Sequence, residues 1–227
     1  MLNWSLRYLP LVDLLDRDNA TTVLDVGSGL HGLSTYRPGT VVQTDLRFDS
    51  SESPPPGRGT AIYVAANAEQ LGFADRSFDF VVSLDLMEHL PVAARQRALT
   101  EMCRVARRGV IVGYPCGAPA ERTDTRLART LAALRREVPD WLTEHLDQRA
   151  YPDASTVTSA LPAGWTVECE IPLGNASLTF AVVLAEHLPI LHRVTTAIDR
   201  LYRRRGPLAV CDRGKTYRSM WLLRAAC

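Results

Sequence analysis

Apolar positions in this chain fall into short runs divided by turns. Val23, Leu24 and Val26 flank one carboxylate, Asp25, and run straight into Gly27-Ser28-Gly29-Leu30-His31-Gly32. An apolar run that breaks into glycines reads as a buried parallel strand handing over to a loop. Similar runs recur over 40–44, 60–64, Phe78–Leu84, 109–113, 165–172 and 216–224. Helical spacing lies between and around them. Residues 2–16 space Leu6, Leu9, Leu14 and Leu15 at helical intervals, and Pro10 predicts two short helices or a kinked one. After Gly32 the next helix has room for a few residues before Pro38-Gly39. Residues 49–59, with Pro54-Pro55-Pro56, read as a surface loop. Pro91 opens a helix running to about residue 107.

Beyond residue 115 the pattern changes. Residues 120–138 and 141–148 read as helices rich in Arg and Leu, within a helical insertion over 116–161 that shapes a substrate pocket. Residues 177–205 form a helical segment before the last strand, apolar first and then Arg-rich, divided at Pro189. The alternation of strand and helix predicts an α/β domain over 1–227 with a doubly wound, mostly parallel sheet. Its ligands belong beyond the carboxyl ends of the strands. No internal repeat is visible.

The 227 residues are 46% apolar and suit one globular domain. A formal net charge of +1 gives no global field directed at nucleic acid or a membrane. Lys215 is the only lysine, which reads as the coding bias of a GC-rich genome. Cys103, Cys116, Cys169, Cys211 and Cys227 are odd in number and lack a Cys-x-x-Cys pair, which predicts reduced thiols in a cytoplasm and no zinc site. No signal-peptide pattern and no apolar run of the ~18–20 residues that span a bilayer are present.

The spacing Gly27, Gly29, Gly32 fits a dinucleotide fingerprint, and Asp45 ends the next strand where a carboxylate takes ribose hydroxyls. No Gly-Lys-Ser/Thr follows, so a P-loop is excluded. Asn67-Ala68-Glu69-Gln70-Leu71-Gly72-Phe73, Ser77-Phe78-Asp79 and Leu84-Asp85-Leu86-Met87-Glu88-His89-Leu90 come next. In this order, over about residues 20–115, the blocks resemble the class I S-adenosylmethionine-dependent methyltransferases, in particular the small-molecule "methyltransferase type 11" group. The resemblance implies a Rossmann-like seven-stranded sheet in the order 3-2-1-4-5-7-6, the last strand antiparallel between the fifth and sixth. It implies S-adenosylmethionine as cofactor and S-adenosylhomocysteine as product. Gly27, Ser28 and Gly29 would approach the methionine end, and Asp45, with Leu46 beneath the sugar, would take the ribose. Asn67 and Ala68 would face adenine, and the carbonyls of Ser83 and Leu84 the ammonium. Asp25 would either anchor the loop or meet that ammonium. Two departures stand out. The third glycine is displaced, leaving Leu30 and His31 in the loop, and Asn67 replaces the usual Asp.

Methyl transfer is an in-line attack on a sulfonium methyl, with a base where the nucleophile is a hydroxyl. His89 and His145 are the candidate catalytic residues. Structural support and a helix-end position are their respective alternatives. Asp85 is a candidate to orient a base or hold the cofactor amine, and Tyr114 to line the pocket. The absence of Asn/Asp-Pro-Pro-Tyr after the fourth strand favours oxygen or carbon acceptors over nitrogen. The C-terminal stretch holds Arg193, Arg200, Arg203, Arg204, Arg205, Arg213, Lys215, Arg218 and Arg224 beside the apolar run 178–184. It reads as a core helix with a solvated basic end or as a groove for a phosphate- or lipid-bearing acceptor, with peripheral membrane contact. The expected function is O-methylation of a sugar, glycolipid or secondary metabolite, without metal and without nucleic acid. The rivals are C-methylation of a quinone- or polyketide-like ring and a non-catalytic binding module.

Overall fold

A computed structural model describes residues 1–49, 51–147, 151–206 and 209–226. Its centre is β4 (Phe78–Leu84), buried at every residue. A strand buried on both faces has no polar side to present, which is why its sequence reads Phe-Asp-Phe-Val-Val-Ser-Leu. β1 (Val23–Val26) pairs parallel with it and with β2 (Thr40–Asp45), and β3 (Thr60–Ala65) extends that side. On the other side β5 (Ala106–Pro115) pairs parallel with β4. β7 (Thr216–Ala225) then runs antiparallel between β5 and β6 (Trp165–Asn175). The order is therefore 3-2-1-4-5-7-6, as the resemblance implied.

Period-two alternation divides β1 between two layers. Leu24 and Val26 pack with Leu99 and Met102 of α2 (Val92–Val105). Val23 faces the opposite layer, with Leu6, Leu9, Leu11 and Leu15 of α1 (Leu2–Arg17). This α1 is one helix with Pro10 inside it, not two. Pro10 forfeits one backbone bond at a cost of roughly 3 kcal/mol. Leu11 and Leu15, fully buried, together with the nearly buried Leu2, Leu6 and Leu9, at roughly 1.5–3 kcal/mol each, outweigh it.

After β5 come α3 (Gly117–Ala133), α4 (Asp140–Asp147) and a short α5 (Ala154–Thr158). The expected helix over 120–138 ends early. Arg135 takes a left-handed φ of 53° and Pro139 precedes α4. Residue 148, the expected end of the next helix, lies outside the described residues. α5 was not legible because its signal is a single turn capped by the Asp153 side chain on Ser155 N–H. α6 (Ala176–Glu186) and α7 (Pro189–Arg205) divide at Pro189, which sits in the first turn of α7, where a missing N–H costs nothing. The run 178–184 belongs to α6 and sends Val182 and Val183 into the core.

Leu11 has no solvent exposure. Replacing it by Ala is expected to destabilise the protein by ~2–5 kcal/mol in urea unfolding. A change within ~0.5 kcal/mol would mean that α1 is not packed on the sheet.

Candidate active site

The loop after β1 is shaped by two left-handed glycines, Gly27 at φ 73° and Gly29 at φ 53°. The N–H groups of Gly27 and Ser28 both donate to the Thr44 carbonyl, at 2.8 and 3.1 Å, which ties the loop to β2. A Cβ on Gly27 would lie 2.9 Å from Leu86, whereas one on Gly29 would meet nothing within 4 Å. Asp45 completes the turn: its Oδ2 accepts from Gly29 N–H at 2.9 Å and its Oδ1 from Leu46 N–H at 2.7 Å. Each oxygen keeps a lone pair for a further donor. Leu46 itself is 70% exposed, so its side chain packs under nothing in this structure.

Asp25 is fully buried. Its Oδ2 accepts from Leu33 N–H at 2.7 Å, and its Oδ1 has no partner among the described residues. Burial pushes its carboxyl up to about 7. A Cβ on Gly32 would sit 2.6 Å from that Oδ2, so Gly32 serves Asp25 and not a ligand. His31 packs against Trp4, ring centres 5.3 Å apart. Ser83 is buried and its hydroxyl donates to the Val26 carbonyl at 2.9 Å. The Asn67 side chain accepts from Glu69 N–H at 2.9 Å, and Ala68 is buried beside it.

A cavity of about 350 Å³ opens beyond the carboxyl ends of β1 and β4. Gly27 and Leu84 form one wall; Trp4, Arg7 and Tyr8 of α1 cover it; Trp141 and His145 of α4 and Glu186 of α6 close the side. Asp45 and Asn67 lie outside these walls. A larger hollow of about 700 Å³ runs along one exposed face of α3, away from the loop. Tyr114 was expected in the pocket but is fully buried, stacked on Trp221 at 4.6 Å with its hydroxyl on the Asp153 carbonyl at 2.8 Å.

The floor is Asp85, left-handed at φ 56°. Its carboxylate bonds Arg7 of α1 and takes Arg218 of β7 at 2.8 and 2.7 Å. Burial opposes ionisation, but Arg218 and then Arg7 outweigh it and hold Asp85 well below the usual carboxylate range. From sequence Arg218 is only one member of the basic C-terminal stretch and Arg7 goes unremarked, although each is a charge within an apolar run, a pattern that marks buried pairs. Three members of the basic C-terminal stretch are thereby spoken for: Arg218 on Asp85, Arg203 on Asp199 at 3.0 Å, and Arg224 on Asp18 at 2.7 Å.

The turn Met87–His89 and α4 bring together the two histidines named from sequence. Their Nε2 atoms lie 3.4 Å apart. His89 Nδ1 meets Glu144 at 2.9 Å, and His145 Nδ1 meets Asp124 of α3 at 3.0 Å. Carboxylates accept, so both Nδ1 atoms carry the hydrogen, which assigns the Nε2 lone pairs to each other's side. Asp124 also accepts from Tyr151 and Tyr217, each at 2.7 Å. Glu88 adds a buried carboxylate whose two oxygens have no hydrogen-bond partner among the described residues, with Oε1 3.8 Å from His145 Nε2. Burial and then Asp85 raise its pKa well above the ordinary value, whereas burial and then His145 lower that of His89.

A mostly parallel sheet in this order, with β7 antiparallel and a glycine loop after β1, is the Rossmann-like fold of methyltransferases. Residues 24–112 match the family model described as "Methyltransferase domain". The match indicates an enzyme, a methyltransferase with S-adenosylmethionine as its cofactor. Open space at Gly29 and the spare lone pairs of Asp45 fit that molecule. Similar solved structures speak for the fold. The methyltransferase domain of a bacterial Hen1 is 14% identical, with all of both chains covered and a TM-score of 0.58. Magnesium protoporphyrin IX methyltransferase from Synechocystis, solved with S-adenosylhomocysteine, is 14% identical over 98% of this chain and 84% of its own, at 0.55. A methyltransferase from Methanosarcina mazei is 15% identical over 90% and 92%, at 0.52. No curated protein matches the chain.

The raised Asp25 has a direct consequence for stability. Its folded pKa of about 7 lies above the ordinary 3.8, so the protonated form favours folding at low pH. That contribution is lost as pH rises toward 7. Asp25→Asn keeps an acceptor for Leu33 N–H and should remove the loss, so its thermal midpoint should gain on wild type between pH 4 and 8. A constant difference across that range would show that Asp25 does not titrate there.

Proposed function

We propose that the enzyme transfers the methyl group of S-adenosylmethionine to a hydroxyl of a small molecule held in the cavity beneath α1. The observation that carries this reading is that Gly27 and the His89–His145 pair belong to one cavity. The methionine end would run along Gly27, Ser28 and Gly29, with its ammonium at the carbonyls of Ser83 and Leu84. Asp45 would take the ribose diol, with Leu46 beside the sugar. Asn67 and Ala68 would receive adenine. Asp25 acts at one remove, by holding Leu33 and with it the loop.

An alcohol must lose its proton as its oxygen bonds the methyl carbon and the carbon–sulfur bond breaks. An Nε2 of the His89–His145 pair, which lines the cavity, can receive that proton, while Asp124 or Glu144 steadies the imidazolium that forms. C-methylation of an electron-rich ring has support in Trp4 and Trp141 at the cavity wall. It is separated from O-methylation by the position of the label in the product. The binding-module reading would leave the paired histidines without a task.

The acceptor is read as lipid- or phosphate-bearing, and α7 supports this. Ile190, Leu191, Val194, Ile198 and Leu201 are exposed along one stripe at helical spacing. Arg193, Arg200, Arg204 and Arg205 are exposed on the same helix, and its only acid, Asp199, is buried on Ser5 and Arg203. An apolar stripe beside cations suits an anionic lipid surface. No helix among the described residues is long and apolar enough to cross a membrane.

In calorimetric titration with S-adenosylhomocysteine, Asp45→Ala is expected to weaken binding ~10–100-fold, the scale of hydrogen bonds to a charged acceptor. His89→Ala and His145→Ala should keep that affinity and slow methyl transfer to hydroxylated acceptors ~10²–10⁴-fold. Unchanged binding by Asp45→Ala would remove the ribose assignment. For α7, sedimentation with phosphatidylglycerol vesicles should capture wild type and release Ile190→Glu/Ile198→Glu. Capture that is equal for both would set the stripe aside.

A further inference from the structure

Glu88, His89 and His145 each offer a ligand atom, and these atoms lie within 4.8 Å of one another. We propose that they form a site for one divalent transition-metal ion of the zinc type. Three independent features point there.

The first is geometry. Two nitrogens each ~2.05 Å from a tetrahedral ion are about 3.3–3.4 Å apart. The Nε2 atoms of His89 and His145 are 3.4 Å apart. Glu88 Oε1 stands 3.8 Å from His145 Nε2, so a shift of about half an ångström brings a carboxylate oxygen to ligand distance.

The second is what stands behind the ligands. His89 Nδ1 is bonded to Glu144 and His145 Nδ1 to Asp124. A carboxylate behind each imidazole fixes the tautomer that exposes the Nε2 lone pair and makes that nitrogen a better donor to a cation. Asp124 is itself fixed by Tyr151 and Tyr217, so the support extends over three segments of chain. Two lone pairs turned toward each other at this distance repel unless a cation lies between them.

The third is Glu88. It is 3% exposed, and neither side-chain oxygen has a hydrogen-bond partner among the described residues. The nearby arginines, Arg7 and Arg218, are bonded to Asp85. An isolated buried carboxylate is costly, and coordination to a cation removes that cost. Two imidazoles and one carboxylate with further positions open are the donor set of catalytic zinc and of related divalent ions.

The site deepens the reading of the cavity as the acceptor pocket and rests on it for its role, though not for its existence. An acceptor hydroxyl bound at an open position is acidified by the ion. Its oxygen bonds the methyl carbon as the carbon–sulfur bond breaks, and the proton leaves to water. The histidines then act on the acceptor through the ion they hold.

The test uses the full chain stripped with a chelator and reloaded with Co(II) or Zn(II). One equivalent of Co(II) per chain should give visible d–d bands of low coordination number, and Zn(II) should bind in competition with a chromogenic chelator. His145→Ala and the isosteric Glu88→Gln should each lower Zn(II) affinity at least tenfold. Circular dichroism and S-adenosylhomocysteine titration on the same samples confirm folding and report on the cofactor site separately. Absence of Co(II) bands and of Zn(II) uptake by a folded chain would overturn the proposal, leaving the histidines to share a proton. Affinity unchanged in both variants would overturn it equally, by locating the ion elsewhere. Loss of cofactor binding with metal binding intact would instead count against the methyl-transfer reading.

Discussion

The carboxylate of Asp85, held between Arg7 and Arg218, is the contact on which the geometry of the site depends. Three segments far apart in sequence meet there: the first helix, the end of the central strand and the last strand. Taking such charges out of water is expensive, and a buried pair is weak evidence of net stability. Its value here is positional. It seats α1 over the cavity and fixes the left-handed turn at Asp85, from which Glu88 and His89 are aimed at α4. Removing one partner would strand a buried charge at a cost of about 3–5 kcal/mol, so the arrangement is all or none.

Adjacent residues of β7 serve different anchors. Arg218 reaches Asp85, and Tyr217 reaches Asp124, which holds His145. The antiparallel strand that distinguishes this sheet thus connects the floor of the cavity with the support of its histidines. On the opposite side of β4, Asp25 and Asp45 each organise part of the glycine loop through backbone N–H groups. The glycine loop and the cavity floor are built by separate acids, and they meet along one edge, at Gly27 and Leu84.

The sheet and the loop were legible because their signals are local. Val23 to Gly32 carries strand, turn and close approach within ten residues, and Asp45 sits at a fixed offset from it. The two histidines were also legible, one beside Glu88 and one beside Trp141 and Glu144, but their contact was not. Arg7, Asp124, Tyr151 and Tyr217 escaped for the same reason, as did the pairing of Arg218 with Asp85. Each acts on a residue tens to hundreds of positions away, and no periodicity records that. At Pro10 the local rule leaves two short helices or a kinked one open, and the tertiary burial of α1 goes with a single helix. The C-terminal basic stretch showed its charge, but its composition did not show which arginines are committed to internal acids and which stay in solvent on α7.

The most direct measurement is a crystal structure of the chain with S-adenosylhomocysteine. The ribose diol should lie within hydrogen-bond distance of Asp45, the amino-acid end along Gly27 to Gly29, and the sulfur should face the His89–His145 side of the cavity. A nucleoside bound away from Asp45, or a sulfur directed away from the two histidines, would contradict the account.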